Sequence, residues 1–196
     1  APVMLTRRRF LIKERVGLLK LSDRYDIFDP DSGDLIGFAQ EKISGLLKVL
    51  RLVGNKVLLP TKVEIRDNNE QLLFSINKGF QFLRAKVTIS DSEDNQVGFF
   101  KSKLFSPGGG FFVFDNSERL VAEIKGDWKG WNFRFIGANG NQIGVVTKKW
   151  AGIGKELFTS ADNYLISLDE GEGDTAKGLL LLAAGLAIDI VYKTSR

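Results

Sequence analysis

Short apolar runs alternate with polar turns along most of the chain, from residue 24 to residue 168. The turns are rich in Asp, Asn and Gly, and they begin at positions 67, 91, 115 and 137, so successive turns are 22 to 24 residues apart. That interval accommodates one β-hairpin with two strands of about six residues and two turns. Asp, Asn and Gly are typical of such turns because they accept positive φ and hydrogen-bond to the local backbone. The pattern predicts a long series of antiparallel hairpins.

The pattern changes near the C-terminus, where residues 178–188 contain no polar side chain and Asp189 ends the run. A helix that is apolar on every side must be surrounded by protein or by lipid. Crossing a bilayer takes about 20 mainly apolar residues, whereas a run of about 10–14 is more typical of a core helix. We therefore expect a helix over 176–193 that is buried in its own protein, with a membrane segment as the alternative. The expected core side chains are Leu180, Leu182, Ala184, Leu186 and Ile188.

A series of hairpins together with one apolar helix restricts the possible folds. An open meander of ten to twelve strands has two unpaired edges, and closing it into a barrel removes both. The lumen of so large a barrel is too wide to be filled by the side chains of its own wall. The sequence therefore predicts a mainly β domain, a closed antiparallel barrel that encloses the hydrophobic C-terminal helix.

One segment departs from the strand pattern. Apolar residues at 43, 46, 47, 50 and 53 have helical spacing, and residues 42–63 contain five basic residues and no acidic one. A basic amphipathic helix is attracted to an anionic membrane surface through both apolar burial and charge. The alternative is a crossover helix packed against the barrel, with its lysines in water. The candidate contacts for lipid headgroups or phosphate are Lys48, Arg51, Lys56 and Lys62.

Composition narrows the possible chemistry. The chain contains no Cys and no His, which excludes thiol nucleophiles, zinc clusters and Ser-His or Cys-His catalytic arrangements. We therefore do not expect an enzyme. The net charge of +4 favours an anionic partner.

The chain organisation follows from length and from its ends. The 196 residues are expected to form a single domain over 1–196, with a flexible basic N-terminus over 1–9. No secretory signal pattern is visible, which predicts a cytoplasmic protein. Peripheral association with membranes is expected from the basic amphipathic segment alone.

The C-terminal third carries a specific motif. Residues 149–164 begin Lys149-Trp150-Ala151-Gly152, continue through Lys155-Glu156, and are followed by the apolar helix ending Ile188-Asp189. This arrangement resembles the end of the phospholipid scramblase family. Arg24-Tyr25-Asp26-Ile27 and Val97-Gly98-Phe99 resemble two further motifs of that family, so the resemblance spans nearly the whole chain. The related LURP-one-related proteins and tubby C-terminal domains imply the same fold, a closed barrel of about twelve strands around a central hydrophobic helix.

The resemblance also implies a calcium-binding loop before the helix. Calcium prefers six to eight oxygen ligands, several of them from carboxylates. Here the candidates are Asp162, Asn163, Asp169 and Glu170, although a turn leading into a strand explains the first two equally well. The lipid-modified cysteines of vertebrate relatives are absent.

Three functions remain open from the sequence. The first is a non-enzymatic domain that binds anionic phospholipid at a membrane surface, and the second is the calcium-stimulated lipid translocation that the resemblance implies. The third is a regulatory domain with a protein partner. Nucleic acid is disfavoured because the sequence shows no basic stripe with interleaved exposed aromatic residues.

Overall fold

The fold is a closed barrel of antiparallel strands. The computed structural model describes residues 3–15, 24–53, 59–79, 86–103, 110–127, 132–148, 163–169 and 175–192. Consecutive strands pair in chain order, and the first strand also pairs with the last, which closes the barrel. This confirms the predicted fold class. The strands are β1 (Arg9–Glu14), β2 (Arg24–Phe28), β3 (Leu35–Lys42), β4 (Thr61–Asp67), β5 (Leu72–Lys78), β6 (Lys86–Asp91), β7 (Gln96–Ser102), β8 (Gly110–Asp115), β9 (Leu120–Asp127), β10 (Asn132–Gly137), β11 (Gln142–Thr147) and β12 (Asn163–Leu168), and the helices are α1 (Gly45–Val53) and α2 (Thr175–Tyr192).

Helix α2 lies in the lumen, where residues 179–189 are all buried. The barrel wall approaches this helix closely at two glycines. A Cβ atom at Gly98 would lie 2.7 Å from Cδ2 of Leu180, and one at Gly185 would lie 2.5 Å from Cδ1 of Ile166. Alanine at either position would require the neighbouring side chain to shift, and at Gly98 the Cβ would also lie 2.6 Å from the backbone oxygen of Phe114. The predicted core side chains Leu180, Leu182, Ala184, Leu186 and Ile188 are all buried.

Four hairpin turns share one design. In the turn at Asp67, the side-chain Oδ1 accepts hydrogen bonds from the amides of Asn69 and Gln71, and Glu70 has a φ of 62°. A left-handed residue before the returning strand is typical of a three-residue hairpin loop with a bulge. Equivalent turns begin at Asp91, at Asp115 and, with a glycine at the left-handed position, at residue 137. These are the four turn positions that the sequence predicts.

The N-terminus differs from the prediction of a flexible tail over 1–9. Val3–Thr6 form a 3-10 helix that contacts α2, and Met4 is buried in the core. Arg7 pairs with Asp29, and the next strand, β1, already begins at Arg9. Burial of an apolar side chain and an ion pair to the first hairpin explain why residues 3–9 are ordered rather than solvated.

The barrel has two ends of different character. At the short-turn end, five turns (29–34, 67–71, 91–95, 115–119 and 137–141) contain ten acidic residues and one basic residue, Arg119. We call the opposite end the α1 end, because β3 leads there through α1 into β4. Helix α2 starts at the short-turn end and reaches the α1 end near Asp189.

Candidate lipid-binding site

Helix α1 is amphipathic, and four of its apolar side chains are exposed to solvent. Leu46 is 73% exposed, Leu52 is 71% exposed and Val49 is 59% exposed. A helix that packed on the barrel would bury these side chains, so the predicted alternative of a packed crossover helix does not hold for them. Exposed apolar side chains concentrated on one helix are typical of an interaction surface rather than of scattered surface residues.

Three lysines lie on α1 and on the two strands that it connects. Lys48 lies on α1 and is exposed, while Lys42 and Lys62 are direct cross-strand partners on β3 and β4 and are also exposed. None of these three lysines forms an ion pair within the described residues. Like charges directly opposite one another in a sheet are destabilising, so this pair lowers stability unless an anion lies nearby.

The other two candidate cations are less well placed. Arg51 belongs to α1, but its side chain lies outside the described part of the structure, and so does the whole of Lys56. Of the four predicted contacts, the structure describes the side chains of Lys48 and Lys62 as exposed, and it pairs Lys62 with a further lysine, Lys42.

An open groove of about 360 Å³ lies on the outer wall, along β2, β3 and β4. The guanidinium of Arg24 sits 4.3 Å from the centre of the Phe38 ring, which holds this cation against the wall. Arg66 donates to Glu64 and to the backbone oxygen of Glu70, both at 2.7 Å. Arg24 also pairs with the buried Asp26 at 3.6 Å, so Lys42 is the groove cation that can attract an anion at the α1 end. The groove is lined by Arg24, Phe38, Gln40, Lys42, Arg66 and Glu70.

The predicted calcium ligands are not brought together. Asn163 is the first residue of β12 at the α1 end, and Asp169 follows the last residue of the same strand at the short-turn end. Because a strand rises about 3.3 Å per residue, these two residues are about 20 Å apart and cannot bind the same ion. Asp162 and Glu170 lie outside the described residues. Among the described residues there is no group of three or more acidic side chains that could hold a metal ion.

One buried titratable pair lies beneath the α1 end. Tyr164 on β12 is buried, and Asp189 near the end of α2 is 6% exposed. Burial, reinforced by the Asp189 carboxylate, raises the pKa of the Tyr164 phenol well above its ordinary value. Tyr164 is therefore neutral at physiological pH, which makes it a poor candidate for a general base.

Neither helix of the described part is both long and apolar enough to cross a membrane.

Sequence reasoning missed two parts of this site. Arg24 and Phe38 reach the groove from different strands, and no local pattern connects them. The facing of Lys42 by Lys62 depends on the register between β3 and β4, across an intervening helix. The only local signal was the run of basic residues without acids over 42–63.

Comparisons with known proteins agree with this architecture. A family model described as Scramblase matches residues 14–194. A phospholipid scramblase family protein of Schizosaccharomyces pombe is 24% identical over 181 residues, which cover 86% of this chain and 48% of the relative. The chain thus spans about half the length of that curated relative. The X-ray structure of a protein from Arabidopsis thaliana has the same fold, with a TM-score of 0.53 and 14% identity over 96% of this chain and 93% of that chain.

Proposed function

Because the chain belongs to the scramblase family, we propose that it binds anionic phospholipid at a membrane surface through α1 and the lysines beside it. The observation that carries this proposal is the exposure of four apolar side chains on one short helix. Insertion of these side chains into the interface would remove them from water, and the adjacent cations would contact headgroup phosphates. The side chains are Leu46, Val49, Leu50 and Leu52.

The proposal is for a binding domain without catalytic activity. The chain has no His or Cys, and the buried Tyr164 is neutral. Each lysine near an anionic leaflet contributes about 1 kcal/mol to binding. Vesicle binding therefore has two separable contributions. Salt screens the one from Lys42, Lys48 and Lys62, and it does not screen the one from the exposed leucines.

The test is co-sedimentation with phosphatidylcholine vesicles that contain or lack phosphatidylserine. The wild-type chain is expected to bind the anionic vesicles, with affinity falling as salt rises. Leu46→Glu with Leu52→Glu should weaken binding by about 100-fold, because two apolar side chains no longer enter the interface.

The chain offers a matched control. Leu35 and Leu120 are also exposed, at 39% and 43%, but they lie at the short-turn end. Leu35→Glu with Leu120→Glu introduces the same charge and should leave vesicle binding at the wild-type level. Equal losses in the two double variants, or no binding by the wild-type chain, would contradict the proposal, and the second result would favour a protein partner.

Lipid translocation is a second candidate, favoured by family membership. If α2 served this activity by entering the bilayer, it would have to leave the lumen that residues 179–189 now fill. Lipid exchange in reconstituted vesicles, measured with a fluorescent phospholipid and with or without calcium, tests this candidate. Exchange above that of protein-free vesicles would support translocation, and exchange at the protein-free rate would leave surface binding as the function.

A further inference from the structure

A second basic surface lies on the outer wall of β6, β7 and β8, also towards the α1 end. Its ammonium groups lie over aromatic rings: that of Lys86 is 4.9 Å from the centre of the Phe99 ring, and that of Lys103 is 5.2 Å from the centre of the Phe112 ring. Lys101 lies 5.5 Å from the Phe99 ring centre. We call this the Lys-Phe surface; it consists of Lys86, Lys101, Lys103, Phe99, Phe112 and Phe114.

The rings form a platform beneath the lysines. Phe99 and Phe114 stack with their centres 5.1 Å apart and an interplanar angle of 18°. Phe99 is only 5% exposed because lysine side chains cover it. Cation-π attraction holds the ammonium groups of Lys86 and Lys101 in place while leaving their outer sides in water, whereas Lys103 is largely buried beside Glu123. The surface therefore presents clustered positive charge rather than bare aromatic faces.

The charges on this surface are poorly neutralised. Lys86 and Lys101 are direct cross-strand partners, a like-charge arrangement that lowers stability. Glu123 is the acidic residue among the described side chains of this face. Its carboxylate forms ion pairs with both Lys103 and Lys125. This is the second lysine pair of its kind at the α1 end, after Lys42 and Lys62 on β3 and β4.

The two lysine pairs are close neighbours on the barrel. Only β5 separates β4 from β6, and its outward residue Asn77 pairs with both Lys62 and Thr88. With strands about 4.8 Å apart, Lys62 and Lys86 lie on strands about 10 Å apart. A flat anionic surface that touches α1 and Lys62 is therefore within reach of Lys86.

We propose that the Lys-Phe surface is a second contact with the same anionic bilayer, so that the barrel docks along a band from β3 to β8 and not through α1 alone. This inference rests on the proposed function. A bilayer suits the surface better than a nucleic acid, because base stacking needs exposed rings, and here the lysines cover Phe99. Clustered ammonium groups instead match a dense array of lipid phosphates.

The test compares two double variants in vesicle co-sedimentation. Lys86→Gln with Lys101→Gln removes the like-charge pair, whereas Arg8→Gln with Arg119→Gln removes the same net charge at the short-turn end. The first variant is expected to bind vesicles containing phosphatidylserine about 30-fold more weakly, with a shallower dependence on salt. The second should bind as the wild-type chain does. Thermal melting of the first should be no lower than that of the wild type, which separates lost binding from lost folding.

The outcomes distinguish this inference from the proposed function. If the Lys86-Lys101 variant binds normally while the Leu46-Leu52 variant does not, the inference is wrong and the proposed function stands. Equal losses in the two charge variants would show a net-charge effect and overturn the inference. Loss of oligonucleotide binding with unchanged vesicle binding would overturn it in favour of nucleic acid. If the wild-type chain does not bind vesicles containing phosphatidylserine, both the inference and the proposed function are wrong.

Orientation provides an independent readout. The chain contains no Cys, so a single cysteine can carry an environment-sensitive fluorophore without removing any native thiol. On vesicle binding, a probe at Thr88→Cys on β6 should shift towards an apolar environment, and a probe at Ser117→Cys at the short-turn end should not. A silent probe at position 88 on bound protein would contradict the second contact.

Discussion

The two ends of the barrel differ in how their charged side chains are partnered. At the short-turn end, carboxylates accept hydrogen bonds from the backbone amides of their own turns, as Asp67 and Asp91 do. At the α1 end, leucines face solvent and lysines face lysines across the sheet. Turn carboxylates such as Asp67 and Asp91 have hydrogen-bond donors within the fold, whereas the pairs Lys42-Lys62 and Lys86-Lys101 place like charges opposite one another. We therefore expect substitutions in the turns to act mainly on stability, and those at the α1 end to act mainly on the proposed binding.

The largest expected effect comes from adding one methyl group near the short-turn end. Gly98→Ala would place a Cβ 2.6 Å from the backbone oxygen of Phe114 and 2.7 Å from Cδ2 of Leu180. Backbone at this position cannot move aside cheaply, so unfolding free energy should fall by about 1–3 kcal/mol. Urea unfolding measures the change.

The control is the same substitution at the α1 end. A Cβ at Gly45 would meet nothing within 4 Å, and alanine favours the helix. Gly45→Ala should therefore leave stability unchanged or slightly raised. If both variants lose equal stability, the two ends do not differ in packing as the structure indicates.

Removing one turn carboxylate is expected to cause a smaller loss of stability. Asp67→Ala removes the acceptor for the amides of Asn69 and Gln71, and we expect a loss of about 1 kcal/mol. Vesicle binding should not change, because the turn is at the end away from α1. Paired measurements of thermal melting and co-sedimentation check both statements, and weaker binding by this variant would break the division of roles between the ends.

How far the sequence predicts these ends depends on whether the interactions are local. The turns at 67, 91 and 115 were predictable because the Asp side chain bonds to amides two and four residues later. Their left-handed residues, Glu70, Asp94 and Glu118, were not, because glycine usually takes that conformation.

Long-range geometry explains the remaining differences. The helical spacing over 43–53 predicted α1, but the exposure of Leu46 depends on what the barrel fails to cover. The facing of Lys86 and Lys101 depends on strand register that no short window encodes. The opposite holds for two of the predicted calcium ligands, since Asn163 and Asp169 are close in sequence but the length of β12 separates them.

Lowering the pH is expected to remove stabilising interactions at the short-turn end first. Hydrogen bonds from the backbone, led by those of Asn95 and Arg119, lower the pKa of Asp91 and Asp115 below their ordinary values. A carboxyl whose pKa is lower in the folded state stabilises the fold above its unfolded pKa of about 3.9 and loses that contribution as pH falls through the folded pKa. Melting temperature should therefore fall below about pH 4.

A variant with asparagine at positions 91 and 115 keeps a side-chain oxygen as hydrogen-bond acceptor but removes the titratable carboxyl group. Asp91→Asn with Asp115→Asn should flatten the acid limb of the melting curve. Vesicle binding by the wild-type chain should be constant between about pH 5 and pH 8, because the chain has no His to titrate in that range. An acid limb of unchanged steepness in the variant would show that other carboxyls dominate.

The smallest stability change is expected at the α1 end, and it should have the opposite sign. Lys62→Glu converts the pair with Lys42 from like charge to opposite charge, so unfolding free energy should rise by a few tenths of a kcal/mol. The same change should weaken binding to anionic vesicles by more than tenfold, since one attractive charge becomes repulsive. Denaturant unfolding and co-sedimentation of one preparation measure both. A more stable variant that binds less would show that this pair is retained for its partner at a cost to the fold, whereas lower stability with unchanged binding would mean that Lys62 serves the fold.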